Sequence, residues 1–350
     1  MLLKELSQAF GVSGEEGAVR QIIREAISAQ VQDLAVDSIG NLTARLPAKG
    51  RGKQPLRVMI AAHMDEVGFM VMGIEKEGTL RFASVGGVDE RLLPGMRVRV
   101  GRKQIPGFVQ WTPIHMNREQ DVTAIKNLRI DIGAGSKSAA EGKVQPGDRV
   151  SFDTEYMELS ETMLRGKAFD DRVGCSLLVD LLQSGPYPVD VLAAFTVQEE
   201  VGLRGARVAA QRLKPDLAIV LEGTTAHDVP DPGADPDDVT TPNPACKVGA
   251  GPVLTVMYRS MITAPHLLRW ARQTAEAEGI PYQLKTALGG GTDAGAIHLT
   301  HAGVPSLVIS MPCRYIHSPQ ALLSRTDYDN TLRLLQTLLR KLKPEHIRHE

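Results

Sequence analysis

The chain has 350 residues, 43% hydrophobic and 23% charged, with 40 basic side chains against 41 acidic ones. That length favours two folding units over a single core. The net charge of -1 gives no electrostatic basis for binding nucleic acid or an anionic membrane. No apolar run approaches the ~20 residues that span a bilayer. The opening MLLKELSQAF lacks the apolar stretch and cleavage site of a signal peptide. Cys175, Cys246 and Cys313 lie far apart, so a disulfide framework is not expected and a reducing, cytoplasmic setting is.

In chain order, Ser13 and Glu16 form the pattern of a capping box, and Val19, Ile22, Ile23, Ala26 and Ile27 then recur on one helical face. Leu34–Asp37 and Asn41–Leu46 read as paired strands around Ser38-Ile39-Gly40. Arg57–Ala62 reads as a strand buried on both faces. From Gly68 to Glu161 helical periodicity disappears. Short runs at Thr79–Phe82, Met96–Val100, Ile105–Gln110 and Asp148–Phe152 alternate with Gly and Pro turns, which predicts a small all-β module. Beyond it, strands at Val189–Val197, Leu217–Leu221, Val253–Val256 and Ser306–Ile309 alternate with helices at Val173–Gln183, Ala264–Glu278 and Asp327–Leu342. That rhythm predicts an α/β fold, an open sheet flanked by helices. The expected division is 1–67 and 162–350 for the α/β unit, with 68–161 inserted. Gly223–Gly251 is rich in Pro, Asp and Gly and reads as a long loop, either functional or mobile.

The His and carboxylate groups fall at telling places. His63 and Asp65 follow the Arg57–Ala62 strand, Glu199-Glu200 end the Val189–Val197 strand, and Glu222 ends the Leu217–Leu221 strand. His317 comes after Ser306–Ile309 and a Met311-Pro312 break. Open α/β sheets bind ligands at the carboxyl ends of their strands. Asp170 sits at the N-terminus of the helix near Val173, where it would serve equally as a cap. Carboxylates converging on one sheet edge cannot all stay ionised without cations between them. Two His and three carboxylates suit Zn, Co or Mn, whereas Mg and Ca favour oxygen alone.

The segments Ala61–Gly68, Gly166–Gly174, Gln198–Gly202, Leu288–Gly295 and Arg314–Pro319 resemble those of the glutamyl/tetrahedral (TET) aminopeptidases, in the same order along nearly the whole chain. The resemblance implies a di-metal exopeptidase fold with an inserted PDZ-like small β-barrel used in oligomerisation, and a homo-oligomer that reaches a dodecamer in many members. It implies two divalent metal ions per subunit, with Asp170 bridging, Glu200 and His317 completing one site, and His63 and Glu222 the other. Many members carry Asp where Glu222 stands. Glu199 becomes the general base of a metal-bound hydroxide, Asp65 orients His63, and the Asp170–Asp171 peptide bond is cis. The implied activity is removal of N-terminal residues from short peptides.

The run Gly289–Asp293, with Gly290, Gly291 and Asp293, would form either a backbone wall beside the substrate or a tight structural turn, and Arg314 and Tyr315 would either border its side-chain pocket or lie on the surface. The acidic stretch Asp228–Asp238 suggests a preference for basic N-termini, although the resemblance spans members of acidic, basic and apolar preference. An N-acyl amino acid deacylase or carboxypeptidase on the same di-metal core remains the alternative. Glycoside hydrolysis needs two carboxylates about 5–9.5 Å apart and leaves a metal-ligand constellation unexplained. A non-catalytic scaffold that binds peptides by strand addition would leave the same constellation without a purpose.

Overall fold

The computed structural model describes residues 1–50, 54–113, 115–116, 122–229, 246–285 and 290–348. Helices α1 (Leu3–Gln8) and α2 (Gly17–Ile27) lead into strands β1 (Gln32–Val36), β2 (Leu42–Leu46) and β3 (Arg57–His63). The next strands are β4 (Gly68–Ile74), β5 (Leu80–Val85), β6 (Arg97–Val100), β7 (Ile105–Gln110) and β8 (Arg129–Asp131). Helix α3 (Lys137–Glu141) and strand β9 (Arg149–Phe152) follow. Strands β4 to β9 close into an antiparallel barrel of order β4-β5-β8-β7-β6-β9. Its centre is a buried cluster in which Phe69 meets Phe82 and Phe152 edge to face, the arrangement that ring quadrupoles favour.

The chain then returns through β10 (Met157–Glu158), β11 (Met163–Gly166), α4 (Phe169–Gln183), β12 (Asp190–Thr196), α5 (Arg204–Leu213) and β13 (Leu217–Thr225). It continues with β14 (Val253–Thr255), the short pair β15 (Met257–Tyr258) and β16 (Met261–Ile262), α6 (Pro265–Ala277), β17 (Gln283–Lys285) and α7 (Ala294–Ile297). Strands β18 (Ser306–Arg314) and β19 (Ala321–Ser324) and helix α8 (Arg325–Lys341) end it. One eleven-stranded sheet runs β1-β2-β12-β3-β13-β18-β19-β11-β10, with β14 and β17 branching from β18. Strand β10 already belongs to this sheet, so the chain re-enters it before residue 161.

At the centre, β12, β3, β13 and β18 are mutually parallel. Their near-continuous apolar sequences follow from burial on both faces. Alternate residues of β3 point to opposite sides. Val58, Ile60 and Ala62 pack with α2, α4, α6 and α8, whereas Met59 and Ala61 pack with α5 and α7. The mixed sheet with helices on both faces and an inserted barrel is the architecture expected from the sequence.

Three local readings change. Helix α2 carries no capping box: its N-cap is Glu16, three residues beyond Ser13, and the Ser13 hydroxyl donates to Asp65 Oδ2 at 2.6 Å. The Met311-Pro312 break is absent, and β18 runs through it to Arg314. Pro312 falls where the strand changes partner from β14 to β19, a position that tolerates a missing N–H. Of the Gly223–Gly251 segment, Gly223–Thr225 extends β13, and 230–245 lies outside the described residues. No described helix is long and apolar enough to cross a membrane.

The barrel hangs from the sheet at a buried ionic knot. Arg172, fully buried in α4, donates to the carbonyls of Met64, Leu6, Ala9 and Gly11 and to Glu66 Oε1. Lys167 adds bonds of 2.6 and 2.7 Å to the same carboxylate. Removing one member strands the others in a dry interior. Arg172→Met should therefore lower unfolding free energy by about 3–5 kcal/mol, read as a shift of the urea midpoint. A midpoint within error of the wild type would exclude this role.

Candidate metal centre

Because the four central strands are parallel, their carboxyl ends share one edge, and that edge carries the site. His63 is the last residue of β3, and Glu199 and Glu200 come three and four residues after β12. The β13–β3 register pairs Val220 with Ala61, and carried two residues on it sets Glu222 opposite His63. Asp170 enters from the N-terminal end of α4, where Asp170 and Asp171 depart from helical geometry and the bond between them is cis. Gly223 makes that entry possible, since a Cβ there would lie 2.9 Å from Asp170 Cα.

Two ligand groups result, each with donor atoms within 4.8 Å of one another: His63, Asp170 and Glu222, and Asp170, Glu200 and His317. His63 Nε2 lies 3.2 Å from Asp170 Oδ1 and 3.2 Å from Glu222 Oε1. His317 Nε2 lies 3.4 Å from Asp170 Oδ2 and 3.4 Å from Glu200 Oε1. Each oxygen of Asp170 thus faces one group. Behind them, His63 Nδ1 is 3.0 Å from the Asp65 carbonyl and 3.4 Å from its Oδ1. The Asp65 carboxylate also accepts from Ser13 and from the backbone N–H groups of Glu199 and Glu200 at 3.0 and 3.2 Å. One buried side chain therefore fixes His63 and the Glu199-Glu200 pair together.

The electrostatics of the cluster call for positive charge. Burial, then the repulsion of neighbouring carboxylates, pushes Glu199 and Glu222 well above the usual range, and Glu200 up to about 7. Burial alone would drive the His63 imidazolium down, but Asp170, Asp65 and Glu222 hold its proton and raise it instead. Against the same penalty, His317 is raised to about 9 by Asp170 and Glu200. Glu222 Oε2 is buried with no hydrogen-bond partner among the described residues. An orphaned carboxylate oxygen beside the His63 imidazole fits cation ligation, and the mixed N/O donor set suits transition metals.

A cavity of about 700 Å³ opens onto these groups. It is lined by Asp170, Glu199, Glu200, Glu222 and His317, and also by Thr224, His227, Tyr258 and Lys285. Gly290 and Gly291 line it as well, while Gly289 lies outside the described residues. Asp293 is placed beneath the site: it is buried, accepts from Thr196 Oγ1 at 2.5 Å, and is pushed by burial to about 6. Arg314 and Tyr315 are absent from the described lining, because the Arg314 guanidinium turns away to grip Asp228 at 2.7 and 2.9 Å. That pairing also takes Asp228 out of the acidic stretch proposed to attract basic substrates, and 231–238 lies outside the described residues.

Several participants escaped the sequence reading. Asp171 is buried and accepts from the backbone N–H groups of His63 and Gly174, and its place beside Asp170 was the available signal. Ser13, Tyr258 and Lys285 had none. Of the nine non-glycine residues in left-handed conformation among the described residues, five, Ala168, Gln198, Leu203, Tyr315 and His317, lie within four residues of a site residue. Backbone strain of this kind gathers where surrounding structure enforces a functional geometry.

Comparison with known proteins adds to this geometry. A family model described as M42 glutamyl aminopeptidase matches residues 40–334. A putative aminopeptidase of Acetivibrio thermocellus is 39% identical over 340 residues, covering 95% of this chain and 96% of its own. The crystal structure of a TET aminopeptidase from a marine sediment Thaumarchaeota archaeon superposes with a TM-score of 0.91 at 38% identity, covering 99% of this chain and 97% of that one. A PhTET1 structure titled as a dodecamer superposes with a TM-score of 0.83 at 34% identity, covering 97% and 98%.

The raised acidities predict a pH-dependent response to divalent cations. A carboxyl raised from 4.5 to about 7, as at Glu200, stabilises the cation-free fold below pH 4.5, and that contribution is lost as pH rises through 7. Cations that neutralise the cluster remove the loss. The gap in melting temperature between zinc-loaded and chelated protein should therefore be larger at pH 7 than at pH 5. Calorimetry at both values measures it, and an equal gap would refute the account.

Proposed function

The chain belongs to the M42 glutamyl aminopeptidase family of peptide hydrolases, and on that premise we propose that it removes N-terminal residues from short peptides with two divalent cations. One cation is assigned to His63, Asp170 and Glu222, the other to Asp170, Glu200 and His317, with Asp170 shared. The observation that carries this reading is the opposed orientation of the two Asp170 oxygens, one toward each imidazole. When bound, such a pair polarises the scissile carbonyl and acidifies water beside it.

The remaining chemistry falls to the chain's own residues. Glu199 belongs to neither ligand group yet lines the same cavity. Its carboxylate takes the proton of the attacking water and returns it to the departing amine nitrogen. A base whose hold on a proton burial has strengthened suits both transfers. Asp65 acts through others: it holds His63 in the tautomer that turns Nε2 to the cation, and its bonds to the Glu199 and Glu200 N–H groups fix base and ligand in one frame. Gly290 and Gly291 allow the substrate backbone to approach closely.

The division into 1–67 and 162–350 around an inserted 68–161 unit, its far boundary drawn back to before β10, is part of the same proposal, as is assembly through the barrel into a homo-oligomer up to a dodecamer. The assembly is supported by the dodecamer structure of the PhTET1 neighbour.

Glu199→Gln should lower kcat by about 10²–10⁴-fold while metal content per chain stays at the wild-type value. Leucine p-nitroanilide should be hydrolysed and its N-acetylated form should not. Comparable turnover of the acetylated compound would replace this reading with the deacylase on the same core.

A further inference from the structure

The two imidazoles of the cluster are supported in different ways. His63 ends a buried strand, its side chain is 2% exposed, and its Nδ1 lies 3.0 Å from the Asp65 carbonyl. The His317 side chain is 38% exposed, and its Nδ1 has no hydrogen-bond partner among the described residues. Its placement therefore falls to the backbone that carries it. That backbone is the turn 315–320, which joins β18 to β19, strands that pair antiparallel as far as Arg314 and Leu322. Within the turn Tyr315 and His317 both adopt left-handed conformation, with φ of 61° and 57°. A residue other than glycine leaves that region unless neighbouring structure holds it there.

The turn is pinned at both ends. On its far side the Ser318 hydroxyl lies 2.7 Å from the Tyr315 carbonyl and 2.9 Å from that of Gln320, and Thr154 donates to the Pro319 carbonyl at 2.6 Å. At its start stands Arg314, the last residue of β18. Strands β13 and β18 pair as far as Thr225 and Cys313. The Arg314–Asp228 fork extends that pairing beyond the sheet, with bonds of 2.7 and 2.9 Å. Asp228 is itself fixed, because its carboxylate also accepts from the Val248 N–H at 3.0 Å. A bidentate guanidinium–carboxylate pair sets direction as well as distance.

Resting on the two-cation reading above, we propose that the Arg314–Asp228 pair is the positioning device of His317. It fixes the backbone from which His317 Nε2 reaches Asp170 and Glu200, and so governs the affinity of that cation group without touching the other. The rival role is structural: the pair closes the segment between Asp228 and Val248 and steadies the fold as a whole. The first role is favoured because the left-handed turn begins at the residue after Arg314, and because nothing else described braces the start of the turn.

Calorimetric titration of zinc into chelated protein, with stoichiometry from elemental analysis, separates the two roles. The wild type should bind two cations per chain. Arg314→Met should weaken one of them about 10–100-fold and leave the other at the wild-type affinity. In a His63→Ala background, which keeps the Asp170, Glu200 and His317 group, Arg314→Met should weaken the remaining cation by the same factor. In a His317→Ala background it should leave the remaining affinity unchanged. Asp228→Asn removes the charge and keeps the shape, so it should weaken the same cation, and it carries the test if Arg314→Met does not fold. Equal weakening of both cations, an effect that persists without His317, or no effect in either variant overturns the proposal. A wild type that binds no divalent cation overturns the two-cation reading with it, whereas two bound cations without site-selective weakening overturn this inference alone.

Discussion

The structure depends on one electrostatic constraint: carboxylates brought together at the edge of a parallel sheet repel one another and have lost most of their water. Asp170, Glu199, Glu200 and Glu222 face one cavity, and burial raises three of them. Asp170 moves the other way, held ionised against burial by His317 and His63. A protein gains nothing in stability from such an arrangement. Its persistence in a well-packed fold argues that a ligand of opposite charge completes it, and the paired His–carboxylate groups say where.

Around that cluster the chain supplies a rigid support. Asp65 ties β3 to the turn after β12, and Asp171 ties the N-terminal end of α4 to His63. Arg172, the next residue, anchors α4 to the Leu6–Gly11 segment and to the Met64 carbonyl. Three consecutive residues thus divide three tasks: Asp170 faces the cavity, Asp171 holds a backbone N–H, and Arg172 fixes the helix in the core. Buried polar groups that are fully hydrogen-bonded rigidify their surroundings. Here the rigidity lies directly behind the atoms that must hold cations in position.

Much of this was legible in the sequence because strand ends in a parallel sheet are a one-dimensional signal. An apolar run that stops at a His or Glu names both the strand and the edge, as at Ala61-Ala62-His63 and Leu221-Glu222. The barrel was legible from the loss of helical periodicity between Gly68 and Glu161. What stayed hidden were contacts between residues distant in the chain. Ser13 reads as a helix cap from its neighbours alone, and only folding brings it 2.6 Å from Asp65. Pro312 reads as a break because sequence does not reveal that β18 changes partner there. Arg314 reads as a pocket residue because it sits three positions from His317, yet its strand carries it to Asp228.

Lys285 belongs to the same hidden class, and its position follows from topology. The core parallel strands place every His and carboxylate of the cluster except Asp170 at or just beyond their carboxyl ends. The branch formed by β14 and β17 lies outside those strands. A residue at the end of β17 can reach the cavity without disturbing a metal ligand.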